Sequence, residues 1–124
     1  MKSYRVLTIK QPWAHLIING IKRVENRSWK TDYRGLILIH AGQAYDESYQ
    51  RDRTFGVDPA LLTYGAVIGT ADLVDIVTEH ASPFFAGPFG WVLENARPIE
   101  PIPLRGQQRL FSATLTLPAP RRRR

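Results

Sequence analysis

With 124 residues, a formal charge of +6 and no cysteine, the chain is sized for one domain with a modest core. The missing thiols exclude disulfides, thiolate metal sites and a cysteine nucleophile, and they suit a reducing cytoplasm. Its apolar runs span a few residues, short of the ~20 that a membrane helix needs, so a soluble cytoplasmic protein without signal peptide or membrane partner is expected. The charge is uneven. Residues 1–34 hold eight Lys/Arg against Glu25 and Asp32, residues 35–120 hold five against nine acidic groups, and the last four residues are all Arg. A clustered positive field concentrates anions and exchanges condensed counterions for fixed cations, which favours a polyanion as partner. An ordinary solvated basic face is the alternative.

Tyr4 to Ile9 alternates in a way that predicts a strand covered in part on both faces. Pro12 lacks an N–H and breaks that ladder, yet it suits the first turn of a helix. Trp13, Leu16, Ile17 and Ile21 follow at three- and four-residue spacing. They predict about two and a half helical turns with this stripe on the core, ended by Gly20, which can take positive φ. From Arg23 to Trp29 the period becomes two, placing Arg23, Glu25, Arg27 and Trp29 on one strand face and Val24, Asn26 and Ser28 on the other. Same-face neighbours about 7 Å apart let Glu25 reach either flanking Arg. After a polar turn, Leu36 to Ile39 is apolar on both faces and predicts the most buried strand, stopping at His40.

A short helix is expected near residues 46–53, then a loop and a small turn at Leu61-Leu62. Ala66 to Val77 reads as a long strand in which Gly69 marks a bulge or tight bend. Residues 78–89 read as a loop and Gly90 to Ala96 as another strand. Pro98, Pro101 and Pro103 then predict an extended edge segment unable to serve as a central strand. Gln108 to Leu117 alternates again. Five to six strands and one clear helix predict an α+β, mainly β fold: a small bent sheet closed into a mixed barrel, with the N-terminal helix against it and short helical turns besides. Residues 1–120 form the single domain, residues 121–124 a flexible polybasic tail, and a monomer is the expected state.

Gln11-Pro12-Trp13-Ala14, the spacing Gly20-x-Lys22-x-x-Glu25-x-Arg27-x-Trp29, and Arg34-Gly35 with its apolar strand resemble the activating signal cointegrator homology (ASCH) domain, a relative of the PUA domains of RNA-modifying enzymes. Gly65 to Gly69 resembles the family's central strand. Pro103-Leu104-Arg105-Gly106 with Leu110-Phe111 resembles its closing segment, so the likeness spans nearly the whole chain. The resemblance implies a PUA-like mixed β-barrel with a cleft between the first helix and the Lys22 to Trp29 strand, and binding of RNA or DNA. It also brings in a hydrolase alternative, since some small members act on modified nucleosides and ribonuclease activity has been ascribed to others. The amidohydrolase members carry a Lys and, three residues on, a Thr; here Lys22 keeps the first place and Glu25 stands in the second.

The expected nucleic-acid contacts are Gln11, Lys22, Arg23, Arg27, Trp29 and Lys30 in a positive cleft. For an enzyme, the catalytic candidates are Lys22, Glu25 and His40. Lys22 is open between a phosphate or carbonyl contact, a base whose pKa falls beside other cations, and a solvated residue on the last helical carbonyls. Glu25 is either a general base or a clamp that fixes the planar fork of Arg27, and flanking guanidiniums favour the ionised clamp. Trp29 could stack on a base or pack locally; Trp13 and Trp91 read as core. His40 is either an acid/base group or a hydrogen-bonded strand end. His15, His40 and His80 lack the spacing of a metal-binding helix, so neither metal nor cofactor is expected.

Overall fold

The computed structural model describes residues 1–48 and 57–122. Six strands, β1 (Lys2–Gln11), β2 (Val24–Arg27), β3 (Gly35–Tyr45), β4 (Ala66–Val77), β5 (Phe89–Pro103) and β6 (Leu110–Leu115), form one mixed sheet in the order β2-β5-β4-β3-β1-β6. Helix α1 (Trp13–Ile18) follows β1, and a 3-10 turn spans Pro59–Leu61. β1 and β3 run parallel, with Val6 opposite Leu38, and the other neighbouring pairs are antiparallel. The expected closed barrel is not what the described residues form. β2 and β6 are the two ends of the order and share no ladder. Closure would need such a ladder, and β2 is only four residues long, paired with Phe89 to Val92 of β5.

Alternation along the two parallel strands builds two cores. Leu7, Ile9, Ile37 and Ile39 join Ala14, Ile17 and Trp91 in one cluster, while Val6 and Leu38 join Val67, Ile99 and Phe111 in the other. Strands apolar on both faces are what a centrally placed parallel pair requires, as read from residues 36–39. β5 is one strand of 15 residues, so its prolines continue it instead of starting a separate edge segment. The prolines are tolerated because β2 covers only the first part of β5; beyond it no further named strand pairs on that side among the described residues, and an Ile99–Pro120 bridge lies there. The bend expected at Gly69 is present as a register shift between Val67 and Gly69. A Cβ there would stand 2.3 Å from Ile18 Cγ2 and 2.5 Å from the Arg97 carbonyl oxygen, so the glycine lets helix and strand touch.

Helix α1 has six residues, shorter than the periodicity predicts. Pro12 cannot cap it with a side chain; instead Gln11 Oε1 accepts from the His15 amide at 2.9 Å. At the other end Gly20 takes φ 77°, its amide donates to Ile17 O, and the Ile21 amide donates to Leu16 O. This pair of reversed bonds is a Schellman turn, and it satisfies the last carbonyls. Because the helix stops there, Ile21 is exposed, not part of the stripe, and Trp13 is only half buried, while Leu16 and Ile17 are fully buried. The helix expected near residues 46–53 lies mostly outside the described residues. The C-terminal Arg run is anchored at its start, where the Arg121 amide donates to Pro98 O at 2.7 Å.

Candidate nucleic-acid interface

The Schellman turn returns the chain towards the sheet, and the Lys22 amide also donates to Leu16 O. That directs Lys22 inward, where it is 3% exposed. Its ammonium donates to Val24 O and to Glu25 Oε1, the latter at 2.6 Å. The other carboxylate oxygen, Glu25 Oε2, lies 3.0 Å from Arg27 Nη2, which also donates to Thr8 O at 2.8 Å. Two cations therefore share one buried carboxylate on β2. A charge-assisted pair of this kind needs every remaining donor satisfied to offset the loss of hydration. All the hydrogen bonds of Arg27 run through Nη2, and its buried Nε has no partner among the described residues. Of the three expectations for Lys22, the solvated residue on the last helical carbonyls is set aside: the side chain is buried and its ammonium is bonded to Val24 O and Glu25.

This cluster floors a cavity of about 940 Å³, lined also by Thr8, Lys10, Trp13, Trp29, Asp46 and Arg109. Trp13, expected in the core, is a wall of the cavity. Its indole N–H donates to Asp46 Oδ2 at 2.9 Å, and the Lys22 ammonium lies 5.9 Å from its ring centre. Asp46 is held below the usual carboxylate range by hydrogen bonds from Ser48 and Trp13, so it is a fixed anion in the wall. Trp29 packs edge-on against buried Trp91, with ring centres 4.8 Å apart, and the Arg109 guanidinium lies 5.0 Å from its ring centre. The loop around Pro83 and Phe84 also lines the cavity, with the Phe84 ring 6.3 Å from that of Trp13. Asn26 fastens it by donating to Phe84 O at 2.9 Å and accepting from the Ala86 and Gly87 amides at 2.8 and 3.1 Å.

Of the expected site residues, Lys22, Glu25, Arg27 and Trp29 come together here; Gln11, Arg23, Lys30 and His40 do not line this cavity. Gln11 is fully buried, with its amide donating to Thr63 O as its oxygen caps the helix, so it is structural. Arg23 precedes β2, is exposed, and lines a separate pocket beside Val92 and Arg97, so Glu25 pairs with Lys22 and Arg27 and not with Arg23. Lys30 lies over the Phe89 ring at 5.9 Å. His40 is 1% exposed, with Nδ1 3.1 Å from Thr8 Oγ1 and Nε2 2.6 Å from Leu104 O. Sequence reasoning missed Thr8, Lys10, Asn26, Asp46 and Arg109. Only Lys10, in the basic N-terminal third beside Gln11-Pro12-Trp13, carried a visible signal. Among the described residues no cluster of three or more His, Cys, Asp or Glu could hold a metal ion, and no helix is long and apolar enough to cross a membrane.

A six-stranded mixed sheet, one short helix, and a cation–carboxylate–cation cluster under an aromatic-walled cavity define an α+β domain with a recessed polar site. Sequence comparison places it: the ASCH domain profile matches residues 7–103, and the chain belongs to the ASCH domain family. Activating signal cointegrator 1 of Homo sapiens is 30% identical over 124 residues, covering 85% of this chain and 21% of that protein. Activating signal cointegrator 1 of Mus musculus is 37% identical over 83 residues, covering 59% of the chain and 14% of the protein. The chain thus spans about a fifth or less of the curated relatives it matches. The crystal structure of the ASCH protein from Zymomonas mobilis shares the fold, with TM-score 0.59 at 19% identity, covering 91% of this chain and 87% of that one. A mutant form of the same protein gives TM-score 0.55 at 21% identity, covering 91% and 88%.

Proposed function

We propose that this domain binds single-stranded nucleic acid, RNA in the first instance, with phosphate and base groups entering the cavity floored by Arg27. The observation that carries the reading is the state of that side chain: Glu25 and Thr8 O hold its guanidinium through Nη2 alone, Nε is shut in the interior, and Nη1 makes no hydrogen bond among the described residues, so the fork is oriented with one end left for a ligand. Lys10, Lys22, Arg27 and Arg109 outnumber Glu25 and Asp46 on the lining, which favours an anion. Half-buried Trp13 and Trp29 add π surface, and recognition of unpaired bases rests on such surfaces. The volume falls within the ~300–1,000 Å³ of small-ligand sites, enough for a nucleotide unit.

The hydrolase reading stands second. Lys22 spends its ammonium on Glu25 and Val24 O, and both ring nitrogens of His40 are engaged, by Thr8 Oγ1 and Leu104 O. A base in either position would first have to break those bonds. Titration of a single-stranded RNA at several salt concentrations tests the binding reading. Log affinity should fall linearly with log salt, by about 0.7 per phosphate neutralised, and should persist after deletion of Arg121 to Arg124. A flat salt response, or binding that disappears with the tail, would overturn it. RNA turnover lost in a folded Lys22→Ala variant would put the enzyme first.

A further inference from the structure

We infer that Arg109 is a ligand-contacting residue of this cavity, its guanidinium plane and the Trp29 ring beneath it forming the platform on which one nucleobase stacks. The inference rests on the nucleic-acid reading above and concerns the base; Arg27 and the neighbouring cations serve the phosphate. Three observations carry it.

First, the aromatic surface of Trp29 is already in use. Trp91, fully buried, meets it edge-on at 4.8 Å and donates its indole N–H to Trp29 O at 3.2 Å, while the Arg109 guanidinium lies 5.0 Å from the ring centre. From core to solvent the layers run Trp91, Trp29, Arg109, and Arg109 is the exposed one. A base entering from solvent therefore meets the guanidinium before it meets the indole. Second, Arg109 has φ 61° immediately before β6, in the left-handed region that a residue with a Cβ adopts at a cost. Third, its guanidinium makes no hydrogen bond or ion pair among the described residues, so no acidic side chain accounts for its position. A planar, weakly hydrated guanidinium stacks on an aromatic ring with one face and offers the other to a base, which a lysine ammonium cannot do.

Arg109→Lys keeps the charge and removes the plane. Its affinity for a single-stranded RNA and for an abasic oligonucleotide of equal length and charge is to be compared with that of the parent chain, with thermal melting as the folding control. We expect the variant to bind intact RNA about tenfold more weakly and the abasic strand equally well, with unchanged salt slopes. Equal affinity of parent and variant for intact RNA, while Arg27→Lys still weakens binding, would overturn this inference alone. An equal loss on intact and abasic strands would also overturn it, making Arg109 a phosphate contact. Failure of the parent chain to bind RNA at all would overturn both readings. Should Arg109→Lys unfold, Arg109→Gln, planar and neutral, gives the same decision: it keeps the preference for intact over abasic strands, and loss of that preference would sink the inference.

Discussion

Two buried polar networks meet at Thr8 and end differently. The Thr8 hydroxyl belongs to a closed network: His40 spends both ring nitrogens on Thr8 and Leu104 O, and further along β1 Gln11 spends its amide on Thr63 O and the His15 amide. The Thr8 carbonyl belongs to an open one: it accepts from Arg27 Nη2, which also meets the Glu25 carboxylate that Lys22 grips, and Arg27, whose Nη1 makes no hydrogen bond among the described residues, lines the cavity. Both networks are buried and polar. What separates scaffold from site is unspent hydrogen-bonding capacity beside solvent, a property that residue type alone does not reveal.

The sharpest break of this comparison is Glu25→Gln. It leaves the Lys22 ammonium buried without its counter-charge, so urea unfolding should show a loss of about 3–5 kcal/mol. A loss under ~1 kcal/mol would mean that the cluster is solvated and that the open network does not hold itself together. The variant is therefore primarily a stability variant, whatever it does to binding. Next in size is the closed network. Gln11→Met strands the Thr63 carbonyl and the His15 amide and should cost about 2 kcal/mol in the same assay, while RNA affinity of the folded protein stays unchanged. A fall in affinity without a fall in stability would return Gln11 to the site.

Arg27→Lys keeps the charge at the cavity floor but cannot hold Glu25 and Thr8 O while presenting a planar fork. RNA titration at fixed salt should weaken by about 1–2 kcal/mol, and an unchanged affinity would remove Arg27 from recognition. The smallest effect concerns the wall. Asp46, with its folded pKa depressed below the ordinary 3.8, stabilises the native state above that value, and the contribution is lost as pH falls through the folded pKa. The melting difference between parent and Asp46→Asn should therefore be present at pH 7 and vanish in acid below that pKa. A difference that persists in acid would assign the Trp13 contact to shape instead of charge.

Much of the scaffold was legible in the sequence. Alternation located β1, a run apolar on both faces located β3, the stretch after Gly65 reads as β4, and Gly20 and Gly69 marked two of the places where backbone geometry favours glycine. Closure was not legible, because it depends on whether two sheet ends pair, and neither β2 nor β6 carries a local mark of that. The site was half legible. Periodicity found Glu25 and Arg27 on one strand face and in reach of each other, but it offered Arg23 as the second cation, where a Schellman turn and not strand alternation delivers Lys22. Trp13 sits at the helix start, where a stripe at helical spacing cannot distinguish core from cavity wall. Asp46 and Arg109 reach the site from segments far along the chain, and only the tertiary fold brings them to it.

The central claim is that the open network receives the ligand and the closed one does not. A nitrogen–proton correlation NMR titration with a single-stranded RNA tests it within one sample. The Arg27 Nε–H and the Trp13 indole N–H should shift saturably, while the Gln11 side-chain amide and the His40 ring remain where they are. Shifts confined to the terminal Arg run, or centred on His40 and Gln11 with Arg27 unmoved, would contradict the account.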